Sequence, residues 1–235
     1  MSVSEMLIVD RAIERGRDAL NEHEAKRLLA SYGVPVTREI LAPDADGAAR
    51  AASELGFPVA VKACSHELRH KKERGLVALG LESEAAVREA CAAIGRNAQG
   101  LDLDGFLVQP MARGERELLL GASHAPGFGP CVTLGMGGIF AEVLRDVSIR
   151  MAPVSEADAL DMIDCLRGAA VLGAVRGLAP VDRQALARAI RGLGTCVLEN
   201  PAISEIDVNP IIAQSGGGLC AVDALVILNP GGGKA

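Results

Sequence analysis

The stretch EIDVNPIIAQSGGGLCAVD, residues 205 to 223, constrains the fold of this chain more than any other. Two apolar runs flank a serine-glycine turn, so the chain must reverse on itself as an antiparallel hairpin. If Ser215, Gly216 and Gly217 form a three-residue loop, glycine supplies the left-handed bulge position and Gln214 opposes Gly218. Counting outward from that pair sets Asn209 opposite Asp223, with side chains on one face and about 5 Å apart. Period-two alternation adds Glu205 and Asp207 to that face and turns Ile206 and Val208 the other way. A four-residue loop would shift the register by one and separate the pair. Paired carboxamide and carboxylate oxygens suit Mg²⁺, a hard cation that completes its shell with water and phosphate. The competing reading is a plain solvated face, common in antiparallel sheets. Against it, Asp223 is the sole charged residue from 219 to 228, and an ionised carboxylate among apolar neighbours calls for a partner or a metal.

The rest of the chain must supply a core for this hairpin. With 235 residues, 49% of them hydrophobic, a large core is available for one large domain or two small ones. Aromatics are only 2%, so that core is built of Ala, Val, Leu and Ile, and base-stacking platforms for single-stranded nucleic acid are lacking. A net charge of −6 argues against a broad phosphate-backbone footprint, so no nucleic-acid partner is expected. No window approaches 18 uninterrupted apolar residues, and the start lacks the regions of a signal peptide, so neither membrane span nor export is expected. Cys64, Cys91, Cys131, Cys165, Cys196 and Cys220 are scattered without a CxxC pair and read as small core residues in a reducing compartment. The expected location is the cytoplasm.

Helix and strand signals alternate along both halves. NEHEAKRLLASY opens with an Asn21 cap and Glu24, and Gly33 stops it; DADGAARAASELG repeats that grammar to Gly56. FPVAVKA is a short β-branched strand, LVALGL follows a charged loop, and SEAAVREACAAIG is a capped helix closed by Gly95. After a seam near residues 97 to 105, GFLVQPM, ELLLGAS and PCVTLGM read as strands. SEADALDMIDCLRG and VDRQALARAIRGLGTCVLEN read as helices. The pattern is α/β or α+β in two lobes.

Four further stretches carry chemistry-bearing residues. Lys62 lies within the apolar strand FPVAVKA, either snorkelling to an exposed edge or held as a point charge against a phosphate. HELRHKKERG is a basic loop in an acidic chain: either a solvated charge run, or an anion-handling loop in which a neutral His70 imidazole attacks a phosphoryl group. GMGGIFAEVLRD, 135 to 146, follows neither the Rossmann nor the P-loop spacing; its glycines admit a phosphate close to the backbone or simply make a tight turn. QPMARGERELLLG, 109 to 121, is a proline-interrupted strand end and bend, either an ordinary connection or one that presents backbone groups to a purine.

Taken in order, AKRLLASYGVPVTRE, FPVAVKA, HKKERG, VQPM…ERELLLG, FGPCVTLGMGGIFAEVLRDVSIRMAP and EIDVNP…VD resemble the β subunit of ADP-forming acetyl-CoA (acyl-CoA) synthetases. These are ATP-grasp proteins related to the succinyl-CoA synthetase β subunit, and the likeness runs from about residue 20 to 228. The resemblance implies an α+β ATP-grasp fold in which two α+β lobes clamp a nucleotide. The N-terminal segment and first lobe would span 1–104, and the second lobe, with the metal-binding hairpin, 105–235. It implies ATP/ADP and Mg²⁺ as cofactors, with Lys62 on the phosphates, Gln109, Met111 and Ala112 around adenine, and Glu117 on the ribose hydroxyls. Gly137 and Gly138 would also bind nucleotide, and Asn209 and Asp223 match the family's metal ligands. Asp207 matches an acid that orients a phosphohistidine, His70 the histidine of the HK(S/T)D motif, and Glu142 a further catalytic position. Here HKKERGLV stands where the family usually reads HKSDVGGV, which alters the loop around His70.

The family reaction is acyl-CoA + ADP + phosphate ⇌ carboxylate + CoA + ATP, with phosphoryl passing through a histidine of an α subunit. No Rossmann fingerprint stands in this chain, so CoA is expected mainly on a separate α subunit that also carries the phosphohistidine, in an α2β2 assembly. Two rival functions remain at this level. A stand-alone ATP-grasp carboxylate ligase working through an acyl phosphate would release ADP without CoA. A non-catalytic nucleotide-binding regulatory subunit would bind ATP and label no histidine.

Overall fold

A computed structural model describes residues 3–68, 74–125, 127–138 and 146–229. The chain divides into two compact units: a smaller one of Ala19–His23 and Thr37–Met111, and a larger one of Met1–Asp18, Glu24–Val36 and Ala112–Ala235.

The smaller unit is a four-stranded antiparallel sheet with two helices on one face. Strands β1 (Ile40–Ala42), β2 (Val59–Cys64), β3 (Val77–Leu81) and β4 (Gly105–Pro110) lie in the order β1-β4-β2-β3. Helices α3 (Ala45–Leu55) and α4 (Glu84–Asn97) cover one side. Asp44 caps α3 by accepting from the Gly47 amide at 2.7 Å, and Ser83 caps α4 by accepting from Ala86 at 3.2 Å. Helix α4 continues past Gly95, where the sequence suggested a stop, to Asn97. Ala48, Ala49, Ala51 and Ala52 pack on Val59, Val61, Ala63 and Val108. With almost no aromatic residues available, small side chains make this core by letting helix and sheet approach closely. Alternation then leaves Ala60 and Lys62 of β2, and their partners Gln109 and Leu107 of β4, on the opposite face.

The larger unit is built on a six-stranded antiparallel sheet. Strands β5 (Arg116–Ala125), β6 (Gly129–Met136), β7 (Val147–Met151), β8 (Ile203–Ala213) and β10 (Leu225–Leu228) run in the order β10-β8-β5-β6-β7, while β9 (Leu219–Ala221) pairs with the far end of β8. Leu118, Leu120, Val132, Leu134, Ile206 and Val208 form the buried face. Helix α6 (Arg183–Glu199) packs on β5, β6 and β8, and α5 (Glu156–Asp164), which opens with a Ser155–Asp158 capping box, packs on α6 and β7. The opposite parity, which includes Glu117, Leu119, Gly121, Thr133 and Asp207, is only partly covered, and Val147, Ile149 and Met151 of the edge strand are exposed.

Helix α1 (Val3–Glu14) and most of α2 (Glu22–Ser31) belong to this larger unit rather than to a first lobe of residues 1–104. The Ala221 amide donates to Pro35 O at 2.7 Å, Val36 bridges Ala221 in parallel, and the Leu228 amide donates to Asp18 O at 2.8 Å. The expected seam near 97 to 105 also moves. Gly105–Pro110 pairs with both β1 and β2, so the compact units part between Met111 and Ala112.

Candidate functional site

The terminal hairpin has the register anticipated from its turn. Ile211 pairs with Ala221 and Ala213 with Leu219, while the Gln214 amide donates to Gly218 O and the Gly217 amide to Gln214 O, both at 2.8 Å. Gly217 takes the left-handed position at φ 89°. Beyond a gap in the pairing, β10 rejoins β8 with Leu225 opposite Asp207 and Ile227 opposite Glu205. Counted inward from the two ladders, Asn209 and Asp223 fall at corresponding positions of the gap, where β8 also shifts by one residue against β5 between the Leu118 and Leu120 pairings. Pro210 explains the gap, because it has no amide to donate; its carbonyl still accepts from Val222 at 3.1 Å.

Acidic groups converge there. The Asp207 carboxyl is pushed above its ordinary range, first by burial and then by the negative charges of Glu205 and Asp223. Such a site favours a cation. Among the described residues no group of three or more His, Cys, Asp or Glu is arranged to hold a metal ion. The expected pair, a carboxamide and a carboxylate, would offer two hard oxygens rather than a cluster of acids. It fits a magnesium ion sharing its shell with water and phosphate better than a closed protein cage.

Along β5 the polar residues are braced from two sides. Arg116 shares the buried parity of Leu118 and Leu120 and is 4% exposed. Its guanidinium donates to the carbonyls of Val171 at 3.2 Å, Gly173 at 3.1 Å and Ala179 at 2.6 Å, fastening the 169–181 segment to the strand. That segment meets the hairpin turn in turn, for Ala179 N donates to Ser215 O at 3.3 Å and Asp182 N to Gly217 O at 2.8 Å. The buried Asp146 carboxylate accepts from the Arg167 and Gly168 amides at 2.9 and 2.7 Å and anchors the residues that lead into this segment. Glu117 lies on the open parity opposite Gly137, whose amide donates to Glu117 O at 2.7 Å.

In the smaller unit, Lys62 does not snorkel. It is 5% exposed, and its Nζ donates to Glu22 Oε1 at 2.6 Å. A buried ammonium needs a compensating charge, and Glu22, at the first turn of α2, supplies one. Gln109 shares the Lys62 face; it is buried and accepts from the Thr37 hydroxyl at 3.3 Å. Beyond it the Met111 amide donates to Pro58 O at 3.0 Å, and Ala112 begins the larger unit. Asn21 precedes α2, as its reading as a cap requires, and its side-chain amide donates to Asp104 at 2.9 Å.

The structure puts Asp207 within electrostatic reach of Glu205 and Asp223, sets Glu117 against Gly137 and Gly138, and puts Lys62 and Gln109 on one sheet face of the smaller unit. His70 and Glu142 lie outside the described residues. Glu22, Arg116 and Asp146 were missed by reading motifs. Arg116 had a signal, since a charge on the apolar parity of RELLLGA must be satisfied inside. Glu22 had half of one: Lys62 required a counter-charge, but its sequence position did not say which acid.

Comparison with known proteins fixes the class: the ATP-grasp domain profile matches residues 11–228, and the chain belongs to that family. It is 39% identical over 225 residues to the acetate–CoA ligase [ADP-forming] I subunit beta of Pyrococcus furiosus, covering 94% of this chain and 96% of that one. Among solved structures it is similar to acetyl-coenzyme A synthetase 1 of Ca. Korarchaeum cryptofilum in complex with coenzyme A, Ca-AMPCP and HgCl+. There the TM-score is 0.90 at 41% identity, over 97% of this chain and 100% of that one. A second structure of that enzyme, with coenzyme A, Mg-AMPPCP and a phosphohistidine segment pointing towards the nucleotide binding site, matches with a TM-score of 0.83 at 40% identity, over 96% and 100%. Among the described residues no helix is long and apolar enough to cross a membrane.

Proposed function

We propose that this chain is the nucleotide-binding β subunit of a cytoplasmic ADP-forming acyl-CoA synthetase. It would transfer phosphoryl between ATP/ADP and a phosphohistidine and so couple acyl-CoA thioester formation or cleavage to ATP. The observation that supports this reading is the register of β8 against β9 and β10, which is consistent with Asn209 standing across from Asp223, near the Asp207 carboxyl that burial and then neighbouring acids push up. These two oxygens would hold Mg²⁺, which when bound neutralises charge on the nucleotide's phosphates. Lys62, held by Glu22, adds a fixed positive charge to the same task. Gln109, Met111 and Ala112 receive the adenine, and Glu117 accepts from the ribose hydroxyls. Asp207 accepts from the incoming phosphohistidine ring and fixes its tautomer, while His70 and Glu142 take part in the transfer itself. CoA and the phosphohistidine come on an α subunit, in an α2β2 assembly.

The test combines this chain with its α partner, γ-labelled ATP and Mg²⁺. Histidine labelling is expected with the wild-type chain, and Asp223→Asn or Asn209→Ala should reduce labelling at limiting Mg·ATP by roughly 10- to 100-fold, the worth of one or two charge-assisted contacts. Normal labelling and turnover by both variants would remove the hairpin from the mechanism. ADP release by the single chain without CoA would favour a stand-alone ligase instead.

A further inference from the structure

The sequence offered Gly137 and Gly138 as a place where a phosphate nears the backbone, but the space in front of both glycines is filled from within. A Cβ on Gly137 would stand 2.9 Å from the Glu117 carbonyl carbon and 3.0 Å from the Glu117 Cβ. A Cβ on Gly138 would stand 3.2 Å from Glu117 Oε2 and 3.6 Å from its carboxyl carbon. Gly138 also holds φ at 61°, which glycine adopts without strain. The main-chain bond from Gly137 N to Glu117 O continues the β5–β6 register in which Leu118 faces Met136. The last turn of β6 is therefore shaped as a seat for one carboxylate.

We infer that Gly138 is a positioning residue for Glu117, setting where its carboxylate stands and thereby how strictly the chain demands a ribose with free hydroxyls. The inference rests on the reading of Glu117 as the ribose contact and adds that its aim is set by the bare Cα at 138. A Cβ at 138 obliges the carboxylate to give by a few tenths of an ångström from that line. Discrimination between sugars should then fall without a matching loss of affinity.

The experiment is calorimetric titration of the intact chain with Mg·ADP and with Mg·2′,3′-dideoxyADP. Wild type is expected to prefer ADP by roughly 10- to 100-fold, since hydrogen bonds to a carboxylate are of that strength. Glu117→Ala should lower the preference to under about 5-fold. Gly138→Ala should lower the preference in the same direction but by less, read as the ratio of the two affinities. Gly138→Asn, which tolerates a left-handed backbone, separates displacement of Glu117 from strain and should match Gly138→Ala even if the latter folds poorly. In the Glu117→Ala background, Gly138→Ala should change the preference no further. If Glu117→Ala keeps the wild-type preference, the ribose reading falls and the inference with it. If Glu117→Ala loses the preference while the Gly138 variants retain it, or if they weaken both nucleotides equally, only the inference falls.

Discussion

Replacing Arg116 by methionine removes the guanidinium that fastens the 169–181 segment to β5. Three carbonyls then lose donors now at 3.2, 3.1 and 2.6 Å, inside a region where Arg116 is 4% exposed. Each buried acceptor left unpaired costs about 1–1.5 kcal/mol, for a gross loss of ~3–4 kcal/mol. Part of that returns, because a buried cation disappears and its Nε has no partner among the described residues. A net loss of ~2–3 kcal/mol remains, a large share of a domain's total stability. Arg116→Lys should recover less than half, since a single ammonium cannot span three acceptors spread over nine residues as a planar fork does.

Urea unfolding followed by circular dichroism measures the global loss, and at ~2–3 kcal/mol per molar the midpoint should fall by about 1 M for Arg116→Met. Hydrogen exchange supplies the local measure. The Leu178 and Val181 amides, which donate to Val175 and Leu172 carbonyls at 2.9 and 2.8 Å, should exchange faster, whereas amides of the smaller unit should not. A midpoint within ~0.2 M of wild type, with unchanged exchange at those amides, would refute the argument that this side chain holds the segment.

The other expectations are shorter. Glu22→Gln and Lys62→Met should each destabilise by about 3–5 kcal/mol, and the double variant by clearly less than their sum, in a denaturation cycle; additivity would mean the pair does not act as one. Gly192→Ala places a Cβ 1.9 Å from the Tyr32 carbonyl oxygen and should cost ~3 kcal/mol or more in thermal unfolding, whereas Gly194→Ala, 3.5 Å from Val132, should be neutral or gain up to ~1 kcal/mol from helix propensity. Tyr32 is the one tyrosine in a chain without tryptophan, so absorbance at 295 nm reads it alone. Burial first, and then the bond to Glu199, push its phenol from 10.0 up to about 12. The folded state thus holds this proton more tightly than the unfolded chain. The stability it contributes is whole below pH 10 and declines as pH rises towards about 12; a native titration midpoint near 10 would contradict the Tyr32–Glu199 contact.

What the sequence made legible was local. The hairpin register followed from Ser215-Gly216-Gly217, because turn chemistry acts within a few residues; the period-two pattern did not carry through, since Ile206 and Val208 are buried and so are Ile211 and Ala213. The caps at Asp44 and Ser83 were legible for the same reason. The assignment of α1 and α2 to the larger unit was not, since it depends on Val36 reaching Ala221, a pairing across most of the chain that no local pattern encodes. Strand β7 escaped notice because Val147, Ile149 and Met151 show alternation with the apolar parity on the exposed side, the reverse of the usual cue. At the site, residue types were readable and their partners were not. Lys62 advertised a need for charge without naming Glu22, and Gly137–Gly138 advertised open space without revealing that Glu117 fills it.

These observations share a physical cause in the way β8 is used. A strand paired along its whole length commits its backbone groups and leaves its side chains to alternate between faces. Here β8 is paired at one end with β9 and at the other with β10 in a single register, so Asn209 and Asp223 are positioned from both sides although the ladder lapses between them. Pro210 keeps the lapse open, because the missing amide cannot be recruited into pairing whatever the neighbouring strand does. The flanking strands, with the bond from Val222 N to Pro210 O, therefore set the backbone at this point. The 169–181 segment extends the same logic: Arg116 binds it by main-chain groups, Asp146 binds the residues that lead into it, and it in turn holds the turn at 215–217. Loosening Arg116 should consequently be felt at the hairpin as well as in the segment it touches.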